Sequence, residues 1–143
     1  MRVLALDVGE RRIGVALSDP LGLTAQRLTV LRRCGGREDL NAVCALIAKH
    51  GVAAVVVGLP LTLKGTHGPQ ARRATSFANA LSRQSAVPVH LVDERLTTTQ
   101  GERALLATNT SRRRRKQVID QVAAQLILQQ YLDTHREGQT VEG

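Results

Sequence analysis

Three carboxylates stand where they weaken a fold and where they would suit a metal. Asp7 closes the apolar stretch that begins at Val3, Glu94 ends a second β-branched stretch, and Asp120 lies in the first turn of an amphipathic segment, beside its apolar stripe. Strand alternation puts Val3, Ala5 and Asp7 on one face of the first segment, and His90, Val92 and Glu94 on one face of the other. Ligand sites in open α/β sheets gather beyond the C-terminal ends of the strands, and three carboxylates brought together there repel unless a hard cation neutralises them. Mg²⁺ or Mn²⁺ is the natural cation for such a set. Acids also end strands and start helices simply as caps or dipole partners. That plainer reading suffices for Asp120 taken alone, and Asp93 serves equally well as a cap or loop hydrogen-bonder. It is weaker for Asp7, because Gly9 and Gly14 flank a turn that also carries Arg11 and Arg12.

The charge balance points to an anionic partner. The 143 residues include 20 Lys and Arg against 12 Asp and Glu, a formal charge of +8. Arg112, Arg113, Arg114, Arg115 and Lys116 supply five of the 20, and 20 minus 5 leaves 15 against 12, so the excess is local. A basic run is often only a solvated segment, but immediately before Asp120 it is placed to hold a phosphodiester near a metal. Phe77 and Tyr131 are the only Phe or Tyr and there is no Trp, so base stacking on a row of aromatics is unavailable. Contact with nucleic acid must then rest on charge and backbone geometry. Cys34 and Cys44 form no C-x-x-C pair, His50, His67, His90 and His135 show no metal-ligand spacing, and no Walker pattern is present.

The elements that position these residues follow from periodicity. Residues 2–8 read as a strand covered on both faces, residues 9–12 as a hairpin turn, residues 13–18 as a second strand, and residues 24–32 as a third after a turn at 19–22. Residues 37–49 carry apolar positions at helical spacing, with Gly51 where a C-cap glycine belongs. The β-branched run 53–59 predicts a buried parallel strand, 70–85 a helix, 87–94 a fifth strand, 97–107 a helix with overlapping capping boxes, and 118–133 a last amphipathic helix. The order βββαβαβαα implies a mixed, mainly parallel sheet with helices on its faces, in one domain over residues 1–136, with residues 137–143 a frayed tail. The longest wholly apolar run, residues 42–48, is far below the roughly 20 residues that span a bilayer, so a soluble, unexported, cytoplasmic protein is expected.

Taken together, Leu4-Ala5-Leu6-Asp7-Val8-Gly9, Arg12-Ile13-Gly14-Val15-Ala16, Val57-Gly58-Leu59-Pro60, Asp93-Glu94-Arg95-Leu96-Thr97 and Asp120-Gln121-Val122-Ala123-Ala124 resemble the YqgF (RuvX) family, in order and spacing, over nearly the whole chain. The resemblance implies an RNase H-like fold related to the RuvC resolvases, with a five-stranded sheet in the order 3-2-1-4-5 and helices on both faces. It also implies a bacterial cytoplasmic nuclease maturing the small-subunit (16S) ribosomal RNA precursor. The family's acidic site then falls on Asp7, Glu94 and Asp120, with Asp7 bridging a pair of Mg²⁺ or Mn²⁺ ions and the other two each holding one. Arg11, Arg12, Arg95 and the run Arg112 to Lys116 would neutralise substrate phosphates. Where the related resolvases close the fourth strand with an acid, this chain has Gly58-Leu59-Pro60. One strand would separate Asp7 from Glu94, setting their backbones roughly 10 Å apart at about 4.8 Å per step. The partners expected are structured RNA or branched DNA and ribosomal precursor particles, with no membrane, for a monomer or homodimer. Two other readings stand beside this one: a Holliday junction resolvase-like DNA nuclease, and a catalytically idle module binding nucleic acid or ribosomes. An actin-like ATPase also begins with a D-x-G hairpin, but one domain of this length cannot close over a nucleotide.

Overall fold

Alternation along the first strand decides how the chain folds, because its two faces differ in size: Leu4, Leu6 and Val8 on one side, Val3, Ala5 and Asp7 on the other. The computed structural model describes residues 1–60, 68–93 and 122–134. In it β1 (Arg2–Val8), β2 (Arg12–Ser18), β3 (Ala25–Arg32), α1 (Gly36–His50), β4 (Val52–Leu59), α2 (Pro69–Gln84) and β5 (Val89–Asp93) follow in order. Residues 122–134 form a further helix, α3. The five strands make one sheet, β3-β2-β1-β4-β5, in which β1 and β2 and β2 and β3 pair antiparallel while β4 pairs parallel with both β1 and β5. The expected 3-2-1-4-5 order is therefore present, and β1, its middle strand, is buried on both faces as its continuous apolar run requires. The helix expected at 97–107 and the tail at 137–143 lie outside the described residues.

The large face of the sheet is covered by the two crossover helices. Leu4, Leu6, Val8, Ile13, Val15, Leu17, Val55 and Val57 pack with Val43 and Ile47 of α1 and with Ala74, Phe77, Ala78 and Leu81 of α2. Gly51 ends α1 in the left-handed region, φ 62°, and donates its N–H to the Ile47 carbonyl. Pro69 opens α2, where its missing N–H has no helical acceptor to lose. Pro88 cannot donate to a ladder, so β5 begins at Val89, two residues later than its apolar pattern suggests.

The opposite face is lined by small side chains and, among the described residues, is packed by α3. Val3, Ala5, Ala16, Ala25 and Val56 pack against Ala124, Ile127, Leu128 and Leu132 of α3. Two glutamines clamp that helix to the start of the edge strand: Gln129 Oε1 accepts the Ala25 N–H at 3.0 Å, Gln125 Nε2 donates to the Ala25 carbonyl at 3.0 Å, and Gln129 Nε2 donates to the Leu23 carbonyl at 3.2 Å. The contacts step from Ala25 down to Leu23 as α3 proceeds, so the helix descends the sheet away from the end that carries Asp7.

Edge strand β3 is bulged. Thr29 stands opposite Val15 but Arg27 stands opposite Ala16, which leaves Leu28 as the extra residue. Leu28 packs on the large-face core, and Arg27 takes the side of the sheet on which Ala16 lies.

The turn after Asp7 is tied down from three directions. Gly9 donates its N–H to the Arg12 carbonyl at 2.8 Å, and a Cβ at Gly9 would come within 2.9 Å of that same oxygen. Arg33, just past β3, donates Nη1 to the Gly9 carbonyl at 3.0 Å and its backbone N–H to the Arg11 carbonyl at 2.8 Å. Its guanidinium lies 5.7 Å from the centre of the Phe77 ring, a cation–π contact. Its Nε pairs with Asp39 Oδ2 at 3.2 Å. Asp39, only 4% exposed, also accepts the backbone N–H groups of Cys34 at 2.8 Å and Gly35 at 3.2 Å. Burial alone would raise the Asp39 carboxyl. The hydrogen bonds from Cys34, Arg33 and Gly35, with the Arg33 charge, outweigh it and hold the group below its ordinary value.

Two outcomes follow for stability. Gln129→Ala should cost about 1 kcal/mol and speed hydrogen exchange at the Ala25 amide while leaving the Val56 amide protected; exchange followed by NMR checks both. Asp39→Asn should destabilise by about 2–3 kcal/mol at pH 7. A carboxyl depressed in the folded state stabilises above its unfolded value and loses that contribution as pH falls through its folded value. The gap between wild type and Asp39→Asn in urea unfolding should therefore narrow as pH drops below about 4.

Candidate functional site

Asp7 is the centre of the arrangement, and the register shows what surrounds it. It stands directly opposite Gly14 of β2. On its other side the β1–β4 register, which pairs Leu6 with Val57, brings Gly58 level with it, and Gly58 in turn pairs with Val92 of β5. One row across the sheet thus reads Val30, Gly14, Asp7, Gly58, Val92. Its only carboxylate is flanked by the two residues that have no side chain. Both glycines are buried and Asp7 is half-buried. A glycine inside a strand sacrifices packing and marks a place where something must approach the backbone. This row faces the α3 side of the sheet, at the C-terminal ends of β1 and β4, beyond the small-residue bed on which α3 rests.

Asp7 meets a requirement of a hard divalent cation. Its donor is a carboxylate oxygen, the ligand type such a cation prefers, and the residues level with it on both neighbouring strands are glycines. Val92 packs on the α3-side core, the side of the sheet on which Asp7 lies. Glu94 and Asp120 lie outside the described residues, as do Arg95 and the run Arg112, Arg113, Arg114, Arg115 and Lys116. Among the described residues no group of three His, Cys, Asp or Glu side chains is clustered so as to hold a metal. Arg11 is exposed at the tip of the turn, and Arg12, half-buried, begins β2 on the Asp7 side of the sheet. At the other edge the His90 ring stacks on Tyr131 of α3, with centroids 6.2 Å apart and planes 21° from parallel. Burial pushes the Tyr131 hydroxyl above its ordinary value.

Sequence reasoning selected Asp7, Arg11 and Arg12 but not the glycine pair that flanks Asp7, nor Arg33, which fixes the turn behind it. Gly58 carried a usable signal, a lone glycine within a β-branched buried run. Arg33 carried none, because a single arginine six residues before an aspartate looks like ordinary surface charge. Among the described residues no helix is long and apolar enough to cross a membrane.

Comparison with known proteins agrees with this architecture. The model of the RuvX family, described as Holliday junction resolvase, matches residues 1–134. A protein of Moorella thermoacetica named "Putative pre-16S rRNA nuclease" is 55% identical over 133 residues, covering 93% of this chain and 95% of its own length. One of the same name from Myxococcus xanthus is 49% identical over 140 residues, covering 98% and 93%. Among solved structures, T. thermophilus RuvC in complex with a Holliday junction substrate superposes with a TM-score of 0.59 at 16% identity, covering 96% of each chain. Fowlpox virus resolvase with its substrate Holliday junction DNA gives 0.57 at 10% identity, covering 94% of this chain and 98% of that one. At such identities the structural likeness establishes the fold, the RNase H-like fold of these resolvases. With the family match running from the first strand through α3, and relatives near half identical over almost their full length, the chain belongs to the RuvX family.

Proposed function

We propose that this chain is a metal-dependent endonuclease that hydrolyses phosphodiester bonds in structured nucleic acid, acting in the maturation of the 16S ribosomal RNA precursor. The observation that carries the reading is the row Gly14, Asp7, Gly58: a carboxylate at the C-terminal end of the central strand with a glycine level with it on each neighbouring strand. The names of relatives about half identical to this chain support the substrate, and the shared resolvase fold supports the chemistry. Asp7, Glu94 and Asp120 would together hold Mg²⁺ or Mn²⁺. When bound, a pair of such ions lowers the pKa of the attacking water and stabilises the leaving 3′-oxygen. The residues do the rest. Asp7 fixes the site to the most rigid strand of the sheet, and the Arg33-braced turn holds Arg11 and Arg12 beside it to meet the phosphate charge. Arg95 and the run Arg112 to Lys116 add positive charge toward the same substrate. The catalytic unit is a single domain over residues 1–136, at work in the cytoplasm on ribosomal precursor particles.

A second reading, a junction-resolving DNA nuclease, is favoured by the resolvase fold. It would require a two-fold dimer to cut two strands symmetrically, whereas an RNA-processing cut needs one site. A module that binds without cutting is the third. All three separate in one experiment, in which labelled precursor 16S RNA and a synthetic four-way DNA junction are incubated with Mn²⁺ or with EDTA. Wild type should cut the RNA, and EDTA should stop it. Asp7→Asn should lower the rate more than about 100-fold with the melting temperature unchanged or raised, since one of three mutually repelling charges is gone. Cleavage of the junction alone would assign the resolvase activity, and retained cleavage by Asp7→Asn would remove Asp7 from the mechanism. Binding that ignores both EDTA and the substitution, without cleavage, would identify the idle module.

A further inference from the structure

The bulge in β3 has an effect on charge. Were the ladder regular, Leu28 would stand opposite Ala16, on the α3 side; the extra residue sends Leu28 to the large-face core and puts Arg27 opposite Ala16 instead. Beyond the bulge, Val30 shares the Asp7 row, and Arg32 stands directly opposite Arg12. Leu31, between them, packs on the large-face core, so Arg32 and Arg12 point to the Asp7 side. Arg27 and Arg32 are exposed, and neither β2 nor β3 contains an acid. Their opposite residues on the regular strand β2, Ala16 and Arg12, are four positions apart, so Arg27 and Arg32 are separated by roughly 14 Å.

We infer that Arg27 and Arg32, with Arg12 between them and Asp7, form a fixed track on edge strand β3 for the sugar-phosphate backbone of a duplex arm of the substrate. The inference rests on the nuclease reading for its substrate and adds where the uncut part of that substrate lies. A rigid strand suits a rigid duplex. A single strand would call for aromatic platforms, and along this track there are none: Phe77 is buried on the other face and Tyr131 lies at the opposite edge, against His90. Arginine rather than lysine also fits, because its planar fork meets two phosphate oxygens at once.

The test measures binding apart from cutting. The full-length protein is titrated in EDTA, by fluorescence anisotropy and over a salt series, with a blunt RNA duplex and a DNA duplex of the same sequence. Arg27→Ala and Arg32→Ala should each flatten the slope of log K against log salt by about 1, and the double Arg27→Glu, Arg32→Glu variant should bind both duplexes at least about tenfold more weakly. Arg83→Ala, at the far end of α2 beyond the opposite face, should bind as wild type does. Melting temperatures, expected to be unchanged at these exposed positions, exclude misfolding as the cause. A double variant that binds with wild-type affinity and slope would overturn the track, as would a loss confined to RNA, which would point to 2′-hydroxyl recognition and not to phosphate. Weakened binding by the arginine variants, with no cleavage of any substrate by wild type, would leave the track standing and remove the nuclease reading. Normal binding by them, with cleavage abolished in Asp7→Asn, would do the reverse.

Discussion

The structure depends on an inequality between the two faces of one sheet. Leucine, isoleucine and valine fill the side under α1 and α2, while alanine and glycine dominate the side under α3. Large side chains hold two helices at the distance their volume sets. Small ones let α3 settle close. A carboxylate in the central strand of an apolar sheet is costly unless partners or water reach it. Asp7 stands on the small-residue face.

Rigidity behind Asp7 comes from a different source. The turn that follows it is short, and Gly9 fits there because a side chain would strike the Arg12 carbonyl. Arg33 then joins that turn to α1 through Asp39 and to α2 through Phe77. One guanidinium therefore links the end of β3, both large-face helices and the hairpin beside the candidate site. Buried ion pairs contribute little when measured against apolar replacements, but breaking one partner leaves the other uncompensated. The arrangement gives position more than it gives stability.

Much of this was legible in the residues, and the reasons differ from element to element. β1, β4 and α1 could be placed because hydrophobic period and a C-cap glycine are local signals, carried by Val3 to Leu6, Ala53 to Val57 and Gly51. Sheet order and Asp7 followed from the family motifs and from strand alternation. Long-range register was not legible. That Gly14 and Gly58 meet Asp7 in one row depends on pairing between segments 44 residues apart, and nothing in either segment alone announces it. The β3 bulge was equally silent, since Leu28 is a suitable strand residue on either face. Glu94 and Asp120 lie outside the described residues, and their selection stands on sequence.

The bulge also governs what the sheet can do to other copies of itself. β3 is an edge strand, and a flat edge with free N–H and C=O groups is a template onto which another chain can add a strand. Here the start of the strand is occupied by Gln125 and Gln129, its middle is broken out of register at Leu28, and it ends in Arg32. A second molecule approaching to extend the ladder would find clamped groups, a kink and like charge in succession. The feature that re-aims one arginine thereby also guards this edge of the sheet against the addition of a further strand.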